Sequence, residues 1–171
     1  MLQLAQAFVE IALRRRGPES LPDSSFLVAG LLAVYAPLGL IVMAMLDELS
    51  GHNLLAFVID TALYVAFVFA ILRFFKLERR FRQTMSALLG ADICITLAYL
   101  PVAVVGWSLG ANLIEPPLVY LYLVAYLWWV YIAGFVLARS LSQALIVGLM
   151  FVILFILTSF SVRDLLIQTP S

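Results

Sequence analysis

Apolar and polar positions alternate along this chain in long blocks. Five apolar blocks cover residues 26–46, 54–72, 86–109, 117–138 and 141–162. Each is near the roughly 20 residues that an α-helix needs to cross about 30 Å of hydrocarbon. A helix satisfies its own backbone inside lipid, whereas five segments cannot form a closed barrel. The pattern therefore predicts an all-α, polytopic bundle of five transmembrane helices over residues 26–162.

Only a few polar residues separate the fourth and fifth blocks. The segment ARSLSQ, with Arg139 and Ser140, is long enough for the turn of about 2–5 residues that joins antiparallel helices. A single helix through both blocks would be about twice as long as a bilayer is thick. Two spans are therefore predicted here.

Residues 1–17 predict a separate amphipathic helix, followed by a linker over 18–25. The apolar positions of this helix recur at helical spacing. They are Leu2, Ala5, Phe8, Val9, Ala12 and Leu13. Two placements are open. The helix lies at the membrane interface with its arginines near anionic head groups, or it packs on the protein's own loops. A signal peptide is not indicated, because the basic cluster follows the apolar stretch.

The loops alternate in charge. Nine of the ten basic residues fall in the N-terminal segment, the second loop and the fourth loop, whereas the first and third loops carry acids only. By the positive-inside rule the basic side is cytoplasmic. This predicts a cytoplasmic N-terminus and an outer C-terminal tail over 163–171. The residues predicted to contact lipid head groups are Arg14, Arg15, Arg16, Lys76, Arg79, Arg80 and Arg82.

Composition supports lipid as the surrounding medium. The chain is 65% hydrophobic and 12% charged, against about 45–50% and 25% in soluble domains. A net charge of zero does not favour nucleic acid as a partner. With Cys94 and His52 the only residues of their types, neither a disulfide nor a cysteine or multi-histidine metal site is expected. Short loops without a cysteine framework suggest the bacterial cytoplasmic (inner) membrane.

Asp60 and Asp92 interrupt the second and third spans. An acid at membrane depth is costly and marks a candidate functional site. The two residues lie about 20 Å and 15 Å from the basic ends of their helices. If these helices are neighbours, the carboxyls approach each other and form a proton or cation site. A hydrogen-bonded structural clasp with Thr61, Thr96, Tyr64 or Tyr99, and exposure at the interface, are the alternatives.

Trp128 and Trp129 lie near the middle of the fourth span, away from the interfaces where aromatic belts form. Their N–H groups need partners at this depth. Burial against another helix is predicted, next to Asp60 or Asp92, and aromatic packing is favoured over a cofactor site. Pro37 and Pro101 interrupt the first and third spans, where each removes a backbone donor.

Two segments carry a resemblance to a known family. RFRQTMSALLGADICITLAYLPVAVVG is a basic stretch that leads into a small-residue span with a proline. LYLVAYLWWVYIAGFVLARSLSQALIVGLMFVILFIL is a Trp-containing span that turns into a final apolar span. Together they resemble the bacterial branch of the Yip1 family of small five-span membrane proteins, although this chain lacks a long soluble N-terminal region. The resemblance implies a membrane-organising or accessory role and supplies no catalytic residues.

The functional prediction is a non-enzymatic integral membrane protein. It acts as an accessory, scaffold or assembly subunit, and its partners are membrane lipids and other membrane-protein subunits or further copies of the chain. No cofactor is expected, because the sequence has no Gly-rich phosphate loop, HExxH or CxxC. The alternative is a small oligomeric transporter or channel that couples to protons or cations through Asp60 and Asp92. A membrane-embedded enzyme with Asp47, Glu48 and His52 at the outer interface is less favoured.

Overall fold

The computed structural model describes residues 2–45, 49–108 and 116–168. These residues form six α-helices and no strand: α1 Leu2–Ala12, α2 Ser25–Met45, α3 Gly51–Phe74, α4 Phe81–Ser108, α5 Pro116–Leu141 and α6 Leu145–Gln168. Helices α2 to α6 are long and apolar enough to span a membrane. The predicted all-α architecture with five such helices is thus confirmed. Asp47 and Glu48 of the predicted outer interface lie outside the described residues.

Several helix boundaries differ from those predicted. Helix α4 begins at Phe81 rather than at residue 86, since Thr84 and Met85 are fully buried and the Thr84 hydroxyl donates to the Arg80 carbonyl. Helix α5 continues through the buried Leu141, and the turn to α6 falls at 142–144, where Ser142 adopts a left-handed conformation (φ 55°). Helix α6 extends to Gln168, so Arg163 belongs to a helix and not to a tail.

Helix α4 lies at the centre of the bundle and packs against α1, α2, α3 and α5. Ten consecutive residues, from Thr84 to Ile93, are buried. Small side chains in this stretch allow neighbouring helices to approach closely, as in other membrane bundles. Helices α2 and α4 continue through Pro37 and Pro101.

Helices α5 and α6 form the tightest pair, in which glycine faces glycine. A Cβ atom added at Gly148 would overlap the Gly134 carbonyl oxygen and lie 2.8 Å from the Ala138 backbone nitrogen. A Cβ atom at Gly134 would lie 2.6 Å from a Leu149 methyl carbon. The contact therefore depends on the missing side chains, as expected where helix association relies on close van der Waals packing.

Helix α1 packs on α4 and α5. Its buried residues are Ala7, Phe8, Ile11 and Ala12, whereas Ala5, Val9 and Leu13 of the predicted apolar face are exposed. The Phe8 ring occupies the space that a side chain at position 90 would need. The predicted apolar residues thus divide between those that pack on the bundle and those that remain exposed. The 18–25 linker contains one 3-10 turn, Pro18–Ser20.

We expect Phe8→Ala to loosen α1 while Val9→Ala leaves it docked. Phe8 is 9% exposed and packs on Gly90, whereas Val9 is 47% exposed. Detergent or lipid takes up the freed apolar surface, so the loss is mainly one of packing. An increase of about tenfold in the rate of tryptic cleavage at Arg14–Arg16, equivalent to about 1.4 kcal/mol, is expected for Phe8→Ala. Equal rates in both variants would contradict this docking.

Candidate functional site

All five long helices line one cavity of about 360 Å³, which we call the central cavity. It occupies the middle of the bundle and extends away from the end at which α3 joins α4 and α5 joins α6, which we call the basic end. Its charged and hydroxyl-bearing residues, apart from tyrosines, are Asp60, Thr61, Asp92, Thr96, Ser159 and Arg163. Aromatic rings from α2 to α6 supply much of the remaining wall.

Asp60 of α3 is paired with α6. Its Oδ1 atom accepts a hydrogen bond from the Ser159 hydroxyl at 2.7 Å, and its Oδ2 atom accepts from Arg163 Nε at 2.6 Å. The Asp60 side chain is 17% exposed and that of Arg163 is 51% exposed. The pair carries no net charge. The sequence gives only a weak indication of this site: Ser159 and Arg163 are four residues apart and therefore share a helix face.

Asp92 of α4 has a different environment. The residue is 7% exposed, and its Oδ1 atom accepts a hydrogen bond from Trp129 Nε1 at 2.5 Å. The Tyr64 hydroxyl faces the same carboxyl but is buried without a well-formed hydrogen bond. Among the described residues, no basic side chain forms an ion pair with Asp92. The central cavity therefore contains one neutralised carboxyl and one that the protein supplies with no cation.

The two acids share a cavity, yet each has its own partners on a different helix. Asp92 is bonded to Trp129, one of the two tryptophans predicted to lie beside an acid, and Tyr64 of the predicted clasp faces the same carboxyl. The partners of Asp60 are Ser159 and Arg163, which were not among the predicted clasp residues. The Thr61 hydroxyl donates instead to the Phe57 carbonyl one turn earlier. Sequence spacing provided no means of pairing Asp60 with residues of α6.

The neighbouring tryptophans of α5 have separate partners. Trp129 reaches Asp92, whereas Trp128 Nε1 donates to the Ala12 carbonyl at the end of α1, at 3.0 Å. From Trp129 a series of rings leads outward through Tyr126, with centroids 5.9 Å apart, to Tyr122, 6.4 Å further on. Tyr122 is 55% exposed, so the aromatic series joins the buried carboxyl to the surface of the bundle.

The basic residues predicted to meet lipid head groups are all exposed. Arg14 lies over the Tyr131 ring, 4.4 Å from its centroid, and Arg16 pairs with Glu10 at 2.5 Å. Arg82 approaches Asp23 at 3.6 Å. Arg80 donates to the Ser140 carbonyl at the end of α5 and to the Ser142 hydroxyl of the α5–α6 turn. Arg15, Lys76 and Arg79 remain on the surface.

In comparisons with known proteins, no family model, curated protein or solved structure matches this chain. The Yip1-like character stays a prediction. The chemistry of the central cavity is therefore inferred from its own side chains.

The geometry of the central cavity suits a small cation. A volume of about 360 Å³ is within the range of roughly 300–1,000 Å³ that small-molecule pockets occupy. Aromatic faces attract organic cations, and a carboxylate supplies the counter-charge. Asp92 supplies a carboxyl with no basic partner among the described residues, and the nearby Tyr64 hydroxyl is buried without a well-formed hydrogen bond.

Proposed function

We propose that this chain is an integral membrane protein that binds a small organic cation in the central cavity and exchanges it for a proton at Asp92. The observation that carries the proposal is a carboxyl, 7% exposed, that lines a cavity shared by five helices and has no basic partner among the described residues. Exchange of this kind is the central step of a proton-coupled cation transporter. Such a transporter is the alternative function that Asp60 and Asp92 indicate in the sequence.

Charge balance supports exchange at Asp92 rather than at Asp60. Removing a carboxylate from water costs several kcal/mol unless a partner compensates the charge. Arg163 compensates Asp60. Asp92 has only hydrogen-bond donors around it, so it carries either a proton or a bound cation. Replacing one by the other keeps the cavity neutral in both states.

The aromatic lining supports an organic cation rather than a metal ion. Calcium and magnesium ions take six or more oxygen ligands. The described residues contain no cluster of three or more acidic, histidine or cysteine side chains. Rings of Tyr126 and Trp129 stack next to the carboxyl, and such faces contribute about 0.5–2 kcal/mol each to holding an ammonium group.

The membrane orientation is part of the same proposal. The basic end faces the cytoplasm by the positive-inside rule, so the central cavity extends toward the outer side. Helix α1 then lies at the inner interface, where exposed Val9 and Leu13 meet lipid and the neighbouring arginines meet anionic head groups. The bacterial inner membrane remains the proposed location. The accessory or scaffold role stays a prediction, and the central cavity favours ligand binding over it.

The test uses benzyltrimethylammonium, a quaternary cation that carries no exchangeable proton. Equilibrium dialysis with the detergent-purified protein should give saturable binding of one cation per chain. Neopentylbenzene, which has the same shape without the charge, serves as the competitor and should not displace it. Non-saturable binding, or displacement by the uncharged compound at equal concentration, would contradict a cation site.

A further inference from the structure

A second cavity lies at the basic end of the bundle and is independent of the central cavity. Its volume is about 630 Å³, and we call it the basic-end pocket. It is bounded by the start of α4, the end of α5, the α5–α6 turn and the 3-10 turn before α2. Arg80, Gln83, Arg139, Ser142 and Gln143 line it. All five of these side chains carry hydrogen-bond donors.

Arg80 is fixed at the wall of this pocket. Its Nη1 atom donates to the Ser140 carbonyl at 2.8 Å and to the Ser142 hydroxyl at 3.0 Å. The left-handed conformation of Ser142 turns the chain at this position. Both bonds use one terminal nitrogen, and a guanidinium carries five N–H groups. The donors on Nε and Nη2 are thus left for a ligand, and the side chain is already ordered.

The charge of the pocket favours an anion. Arg139 is neutralised by Glu19, with 2.7 Å between Nη2 and Oε1. Arg80 forms no ion pair among the described residues, so the lining retains one positive charge. Helix α6 begins two residues after Gln143, and the positive end of its dipole adds to the same field.

We infer that the basic-end pocket binds a phosphate group, carried by a phospholipid head group or by a soluble phosphate ester. An arginine fork matches the geometry of two phosphate oxygens. The hydroxyl and amide groups of Ser142 and Gln143 lie on the same lining and suit the remaining oxygens. The pocket is larger than phosphate alone requires, which leaves room for the alcohol portion of an ester.

The test compares three probes on the detergent-purified protein by microscale thermophoresis. They are dioctanoylphosphatidic acid, glycerol 3-phosphate and dioctanoylglycerol, which lacks phosphate. Binding of both phosphate compounds indicates a general phosphate site, and binding of the phosphatidic acid alone indicates a lipid head-group site. Either result supports the inference. Equal binding of dioctanoylglycerol, or no binding of any probe, would overturn it.

Two neighbouring arginines provide the matched variants. Arg80→Gln should weaken binding of the phosphate probe about tenfold, because it removes the fork. Arg79→Gln makes the same charge change one residue away, outside the pocket lining, and should have little effect. Gln143→Glu adds a negative charge to the pocket lining and should also weaken binding. An equal loss of affinity for the phosphate probe in the Arg79 and Arg80 variants would show that general surface charge, and not this pocket, accounts for binding. That result would refute the site.

Discussion

Replacing Asp92 by asparagine is expected to weaken the binding of benzyltrimethylammonium by about tenfold to a hundredfold. Interactions with a charged group contribute about 1.5–3 kcal/mol, and each 1.4 kcal/mol is a factor of ten in affinity. Asparagine has the same shape and retains an oxygen that can accept from Trp129 Nε1. The substitution therefore removes the charge with little change in packing. Equilibrium dialysis measures the effect.

The same variant should abolish the proton release that accompanies binding. The wild-type protein should release about one proton per cation bound into weakly buffered solution, since the cavity stays neutral only if the proton leaves. Asp164→Asn is the matched control, because it neutralises an exposed carboxyl of α6 next to Arg163. It should change neither affinity nor proton release. Wild-type behaviour of Asp92→Asn in both measurements would remove the proposed exchange.

Gly148→Val is expected to cost about 3 kcal/mol of stability or more and to deplete the folded protein. The added atoms meet the backbone of Gly134 and Ala138 on α5, which cannot rotate away as a side chain would. Overpacking of this kind separates the helices and loses their van der Waals contact. The measurement is the midpoint of unfolding by sodium dodecyl sulfate in mixed micelles, followed by circular dichroism.

Gly30→Val is the control for the glycine contact. A Cβ atom at Gly30 meets nothing within 4 Å, and the residue is exposed on a helix of similar hydropathy. The two substitutions change the same atoms and the same helix propensity. A similar shift of the unfolding midpoint in both variants would show that the intrinsic preference of valine, and not the α5–α6 contact, accounts for the loss.

The number and type of the helices followed from the sequence because lipid imposes a length and an apolar composition on each span. The residues at which the helices begin and end could not be predicted as accurately from the sequence. Thr84 is polar, yet it is fully buried within the first turns of α4, so the helix begins before the apolar block at residue 86. The end of α5 depends on the left-handed conformation of Ser142, for which serine is not a distinctive residue.

The candidate site was predictable in part. Asp60 and Asp92 stood out because acids are rare in apolar spans, and both line the central cavity. The tryptophan next to Asp92 was predicted, whereas Ser159 and Arg163 next to Asp60 were not, since the packing of α6 against α3 decides which side chains Asp60 meets. Arg163 was assigned to a tail, although the helix continues past it and brings it to Asp60.

The consecutive tryptophans of α5 connect the central cavity with the end of α1. Successive residues on a helix point about 100° apart, so Trp129 bonds to Asp92 while Trp128 bonds to the last residue of α1. Any rotation of α5 about its axis that withdraws one indole from its acceptor also moves the other. A displacement of Trp129 in the central cavity that rotated α5 would therefore also change the contact between α5 and the end of α1.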